Sequence, residues 1–156
     1  RIGPDGEAHA SAPCGVPPAR VDAFVLSKAA WLEKAKAQAA RRRAEEAAPC
    51  AVTPAQALAL FEAVSGRVFP LFSGVLGGVR PTLKVRRMKT RWGVCMPGKR
   101  QITLNLRLAE KPMAAVEYVV VHEYAHFVHC DHSPAFWAVV ARILPDYKAR
   151  RALLRA

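Results

Sequence analysis

From Pro112 to His132 the chain reads PMAAVEYVVVHEYAHFVHCDH, and no other stretch restricts the fold so tightly. A largely apolar flank runs straight into the spacing His122-Glu123-x-x-His126. Three consecutive valines favour a strand by propensity. A run of about 18 residues nevertheless fits a helix, because burial overrides propensity. A buried helix cannot leave two imidazoles and a carboxylate without partners. The fold must supply those partners, and the partner this spacing suits is a metal ion.

Helix geometry says which groups can share the ion. Positions i and i+4 differ by about 40° in azimuth and about 6 Å along the axis. His122 and His126 can therefore converge on zinc at about 2.0–2.1 Å. Glu123 is rotated by about 100° from His122 and stands beside the pair, where a general base for an activated water belongs. Two histidines compete for the third position. His129 keeps the same face but lies about 10 Å up the axis from His122, out of reach in a straight helix. His132 fits only if the helix ends first. Cys130 and Asp131 are poor helix formers, and Ser133-Pro134 reads as the cap and first residue of a new helix. The expected zinc ligands are thus His122, His126 and His132, one ion per chain, with Glu123 catalytic. His129 is expected to support the ligands from behind; a substrate contact or a core position is the alternative. Cys130 reads as a small buried apolar residue, not a ligand.

The remaining elements frame this helix. Pro18 to about Ala48 reads as a long helix with Val21, Phe24, Val25, Trp31, Leu32 and Ala35 on one stripe. Before it, PDG is turn chemistry and EAHASAP a short strand. Thr53-Pro54 caps a second helical stretch, which Gly66 and Pro70 should bend or split and Gly77-Gly78 should end. Residues 82–88 and 101–108 alternate as a strand pair, with MPGKR as the turn between them. A fourth helix follows Ser133, Pro145 stops it, and a short basic helix closes the sequence. The expectation is an α+β fold, a small sheet on a helical body. Residues 1–50 are read as an N-terminal strand and helix, and 51–156 as the catalytic domain.

Charge narrows the partners. The formal net charge is +12 and the pI is near 10.2. Such a surface attracts nucleic acid, phosphorylated molecules or acidic protein. Four cysteines without a C-x-x-C pair fit a reducing compartment. No run approaches the roughly 20 apolar residues that span a bilayer, and the start has no signal-peptide core. A cytoplasmic protein without a membrane partner is expected.

The stretches VRRMKTRWGVC, ITLNLRLAEKP, YVVVHEYAHFVHCDHSPAFW and PDYKARRALL resemble, in order, the YgjP-like metallopeptidases. That family is related to SprT-like and WLM zinc peptidases. DGEAHASAPCGVPPARVDAFVLSKAAWLEKA is similar to its N-terminal strand and helix. The resemblance implies a zincin-like fold, zinc on His122, His126 and His132, and a histidine at 129 as part of the pattern. It also implies that an upstream strand precedes Arg1. Val94 and Asp131 depart from the usual Ser and Asn. Arg91 and Trp92 are candidates for holding an extended or anionic substrate; the alternative packs Trp92 on the active-site helix and leaves Arg91 solvated. The function expected first is a zinc peptidase acting on protein or peptide. A metal-dependent phosphohydrolase acting on nucleotides, and a nucleic-acid-associated protein of SprT-like type, are the competing classes.

Overall fold

In the computed structural model, residues 3 and 7–155 are described, and they fall into two compact units, Arg1–Pro49 and Cys50–Ala156. The PDG turn lies outside the described residues. The EAHASAP segment holds only an isolated bridge at Ala8, not a strand. The long N-terminal helix is two helices, α1 (Pro18–Ser27) and α2 (Ala29–Ala47), broken at Lys28. Ser27 Oγ donates to the Phe24 carbonyl at 2.6 Å, the local competition for backbone groups that marks such breaks. Phe24 and Trp31 of the expected stripe are exposed.

The second unit begins at α3 (Pro54–Val68). Thr53 Oγ1 accepts from the Gln56 amide and the Gln56 side chain accepts from the Thr53 amide, a complete capping box. Gly66 stays within the helix. The split falls at Pro70, in a 3-10 turn over Phe69–Phe72, before α4 (Ser73–Leu76). Gly77 then ends α4 at φ 60°, a left-handed cap that glycine adopts freely. Taken together, Pro54–Leu76 is long and apolar enough to cross a bilayer, which the sequence reading did not expect. Its Ala57, Phe61, Val64, Val68, Phe72 and Leu76 nevertheless face the protein core.

Three strands form the sheet, not two. β1 (Thr82–Arg86) and β3 (Gln101–Asn105) pair in parallel, Thr82 opposite Gln101. Between them in sequence lies β2 (Gly93–Met96), antiparallel to β3, with Gly93 opposite Leu104. The order β1-β3-β2 leaves β2 at an edge. The turn after β2 is the expected one, Pro97–Lys99. β3 stops at Asn105 although alternation runs on to Leu108, because Leu106–Glu110 coils into a 3-10 turn capped by Asn105. Asn105 Oδ1 accepts from the Arg107 amide at 3.2 Å.

The valine-rich segment is helical, α5 (Met113–Ala125), and Ala115, Val116 and Tyr118–Val121 are buried. α5 packs between α3, α6 (Pro134–Ile143), α7 (Tyr147–Ala152) and β2. Two polar ties fix it. Tyr124 and Ser65 share a buried hydrogen bond of 2.6 Å, and Glu117 receives Arg67 and Arg150 at 3.2 and 2.7 Å. The mixed α+β arrangement expected from the sequence is present, with one face of α5 turned toward the edge strand.

Candidate metal centre

α5 ends sooner than helix periodicity suggested. Its last helical residue is Ala125, and the chain tightens through Phe127 N–H to Tyr124 O and Val128 N–H to Ala125 O, both at 3.0 Å. The segment 126–133 then doubles back before α6. The result is the one the third-ligand argument needs: His132 Nε2 lies 3.0 Å from His122 Nε2. Among the described residues, His122, His126 and His132 form the one cluster of metal-ligating side chains, their donor atoms all within 4.8 Å of one another. Two nitrogens on a tetrahedral zinc stand about 3.3 Å apart, so the cluster is close to the size such an ion requires.

The surroundings set each imidazole's proton. His126 Nδ1 contacts the His129 carbonyl at 3.2 Å. A carbonyl only accepts, so Nδ1 carries the hydrogen and Nε2 keeps its lone pair. His129 thus meets His126 through its backbone. Its side chain was the feature singled out in the sequence, and it has no place in the cluster. His122 Nδ1 is buried with no hydrogen-bond partner among the described residues. Burial, then the neighbouring His126 and His132, push the His122 pKa down to about 3; burial also lowers that of His126. Neutral imidazoles are the form that binds metal.

Phe136 and Trp137 hold the cluster in place. The Phe136 ring is fully buried, and its centroid lies 4.9, 4.7 and 4.8 Å from those of His122, His126 and His132. His132, though exposed, stacks on Trp137 at 5.8 Å. Ser133 occupies the cap position of α6, but its hydroxyl bonds the Asp131 carboxylate, not the helix.

Glu123 is 5% exposed, and burial pushes its carboxyl pKa up to about 7, opposed by a hydrogen bond from the Cys95 amide. It sits against Gly93, where an added Cβ would lie 2.5 Å from Glu123 Oε1. A cleft of about 430 Å³ brings these groups together, lined by Arg91, Gly93–Cys95 and Pro97 on one side and by His122, Glu123, His126, Cys130 and His132 on the other. Arg91 therefore faces the same space as the histidines. Trp92 packs against the hydrophobic core under Lys111 Nζ, 5.5 Å from the ring centroid. Cys130 is exposed in the cleft, against the expectation of a buried position.

Three residues important to this geometry escaped the sequence reading: Gly93, Asn105 and Phe136. Asn105 is buried and clamps the loop leading into β2, donating from Nδ2 to the carbonyls of Met88 and Arg91 at 2.7 and 2.8 Å. The signal for Gly93 was present in Arg-Trp-Gly, but its reason lies in a helix thirty residues away. That for Phe136 was an aromatic pair just inside a helix start.

No curated protein matches the chain. Among solved structures, the crystal structure of the metallopeptidase zymogen of Pyrococcus abyssi abylysin is similar at 22% identity and a TM-score of 0.49, over 58% of this chain and 90% of that one. The family model for the YgjP-like metallopeptidase domain matches residues 66–156, which takes in the whole sheet, the cleft and the three histidines. With more than half of its length matched, the chain belongs to the YgjP-like metallopeptidase family.

Proposed function

We propose that the protein is a zinc-dependent peptidase whose ligands are His122, His126 and His132 and whose general base is Glu123. The observation that carries this reading is the convergence of three imidazoles within 4.8 Å beside a buried carboxylate in one open cleft. A set of three imidazole nitrogens suits zinc and leaves a fourth position for chemistry. Zinc bound there supplies Lewis acidity, which activates water and polarises a substrate carbonyl. Glu123 takes the proton of the attacking water and delivers it to the departing amine. Gly93 lets the carboxylate lie close to β2, and the Cys95 amide orients it. An extended peptide adds to the edge strand β2, so that main-chain pairing, not one side chain, positions the scissile bond. Arg91 lies at the cleft wall to meet substrate carbonyls or acidic groups. Residues 51–156 carry this chemistry and residues 1–50 form the N-terminal unit. The described cysteines are free thiols, which supports a reducing, cytoplasmic setting.

The test is metal content together with hydrolysis of an unfolded protein. Purified protein should hold one zinc per chain, and Glu123→Gln should keep the zinc and lose at least about a hundredfold in rate, the scale of general-base catalysis. Substoichiometric zinc after loading, or undiminished hydrolysis by Glu123→Gln, would refute the reading.

A further inference from the structure

A second cavity of about 430 Å³ is lined by Trp137, Tyr147, Lys148, Arg151, Ala152 and Arg155. We infer that it is a subsite for a carboxylate of the peptide substrate; the inference rests on the peptidase reading and adds a preference for acidic substrates to it. The cations arise from one helical face, because 148, 151 and 155 follow the i, i+3, i+7 spacing through α7 and the 3-10 turn after it.

Their pairing state is the first argument. Arg150, on the same helix, is held by Glu117 and Asp146 at 2.7 and 2.8 Å. Among the described residues, no carboxylate pairs with Lys148, Arg151 or Arg155. The acids of this region are thus spent on the arginine that faces the protein, and the three cations that face the cavity are left for an external anion. Its wall is the second argument. Tyr147 stacks on Trp137 at 5.3 Å with ring planes 20° apart, and the Arg151 guanidinium lies 5.7 Å from the Trp137 centroid. Aromatic walls with cations at the rim suit a group whose stem is apolar and whose head is anionic, as a glutamate side chain or a chain end is.

Position is the third argument. Trp137 links the cavity to the cluster: the ring that lines the cavity also lies 5.8 Å from the centroids of both His122 and His132. An extended peptide advances about 3.3–3.6 Å per residue, so a peptide held at the histidines can bring the carboxylate of a nearby residue to the cavity.

The experiment compares binding and cleavage of matched peptides. Zinc-loaded Glu123→Gln protein is titrated with dye-labelled peptides by fluorescence anisotropy: one with an internal Glu and an amidated end, its Gln counterpart, and a Gln peptide with a free carboxyl end. At least one carboxylate peptide should bind about tenfold tighter than the neutral one, the gain expected of charge-assisted contacts to several cations. Which one it is tells side chain from chain end. The preference should fall toward unity in Lys148→Gln/Arg155→Gln, shrink as salt rises, and persist in Arg142→Gln on α6. Both substituted pocket residues are exposed, so the fold should tolerate their loss. Equal affinity for all three peptides, or a preference untouched by the double substitution, overturns the subsite. So does an oligonucleotide that displaces the acidic peptide at lower concentration than the peptide itself binds, since the cavity would then be a nucleic-acid contact. If wild-type protein cleaves no peptide while the acidic preference persists, the peptidase reading fails and the carboxylate site stands.

Discussion

A methyl group at position 93 would lie 2.5 Å from Glu123 Oε1 and 2.7 Å from its Cγ and Cδ, well inside van der Waals contact. The backbone of β2 cannot retreat easily, because β3 holds its other edge. Glu123 must therefore move, and with it the base. Gly93→Ala should lower kcat by about tenfold or more while zinc content stays at the wild-type level, since no ligand is touched. Parallel metal analysis and peptide hydrolysis would check this, and an active Gly93→Ala enzyme would show that the close approach has no catalytic weight. The two histidines that compete for the third position separate in the same way. His132→Ala removes a proposed ligand and should weaken zinc binding by at least about a hundredfold. His129→Ala keeps the carbonyl that receives His126 Nδ1 and should change zinc affinity by less than about tenfold. Competition with a chromophoric chelator measures both. The histidine cluster could be read from spacing because it is local, whereas Gly93 and Phe136 act on residues that only the folded chain brings near.

At the scale of elements, β2 is what the sequence concealed. Gly93–Met96 is four residues long, every one half-buried, so no alternation of polar and apolar residues announces it. It also replaced the expected hairpin: the chain passes through β2 between β1 and β3, and β1 and β3 pair in parallel while β2 runs antiparallel to β3. α5 was legible by its length and apolar character. Its end was not, because the last turn is set by backbone and side-chain bonds that no propensity encodes. The loop joining β1 to β2 depends on one side chain. Asn105 serves the carbonyls of Met88 and Arg91 and the amides of Met88 and Arg107, the last two at 3.4 and 3.2 Å. Replacing it with alanine leaves several partly buried groups unpaired, each worth about 1–3 kcal/mol. Asn105→Ala should destabilise the protein by about 2–4 kcal/mol in denaturant unfolding, with faster amide exchange across residues 87–92. A change below about 0.5 kcal/mol would mean the loop has other support.

Across the whole molecule, the same burial that prepares the site makes the metal-free protein sensitive to pH in two opposing ways. Burial raises the Glu123 pKa from 4.5 to about 7, so between those values the folded chain holds a proton that the unfolded chain releases. Its contribution to stability is whole below pH 4.5 and is lost as pH rises through 7. His122 runs the other way. Its pKa falls from 6.5 to about 3, so the unfolded chain takes up a proton that the folded chain refuses, and stability is lost as pH falls from 6.5 toward 3. Glu123→Gln removes the first effect and leaves the second. At pH 8 the metal-free variant should be more stable than the metal-free wild type by about 1–3 kcal/mol, a rise in Tm of about 2–4 °C for each kcal/mol. At pH 4 the two should coincide, because Glu123 is then protonated in both states of the wild type. Zinc should shrink the difference at pH 8, since a nearby cation favours the carboxylate and relieves the cost of its burial. Thermal unfolding of both proteins from pH 4 to 8, with chelator and with zinc, gives all three comparisons. A difference in Tm that does not change with pH would mean that the charge on Glu123 costs the fold nothing, and that its isolation from solvent is not what tunes it as a base.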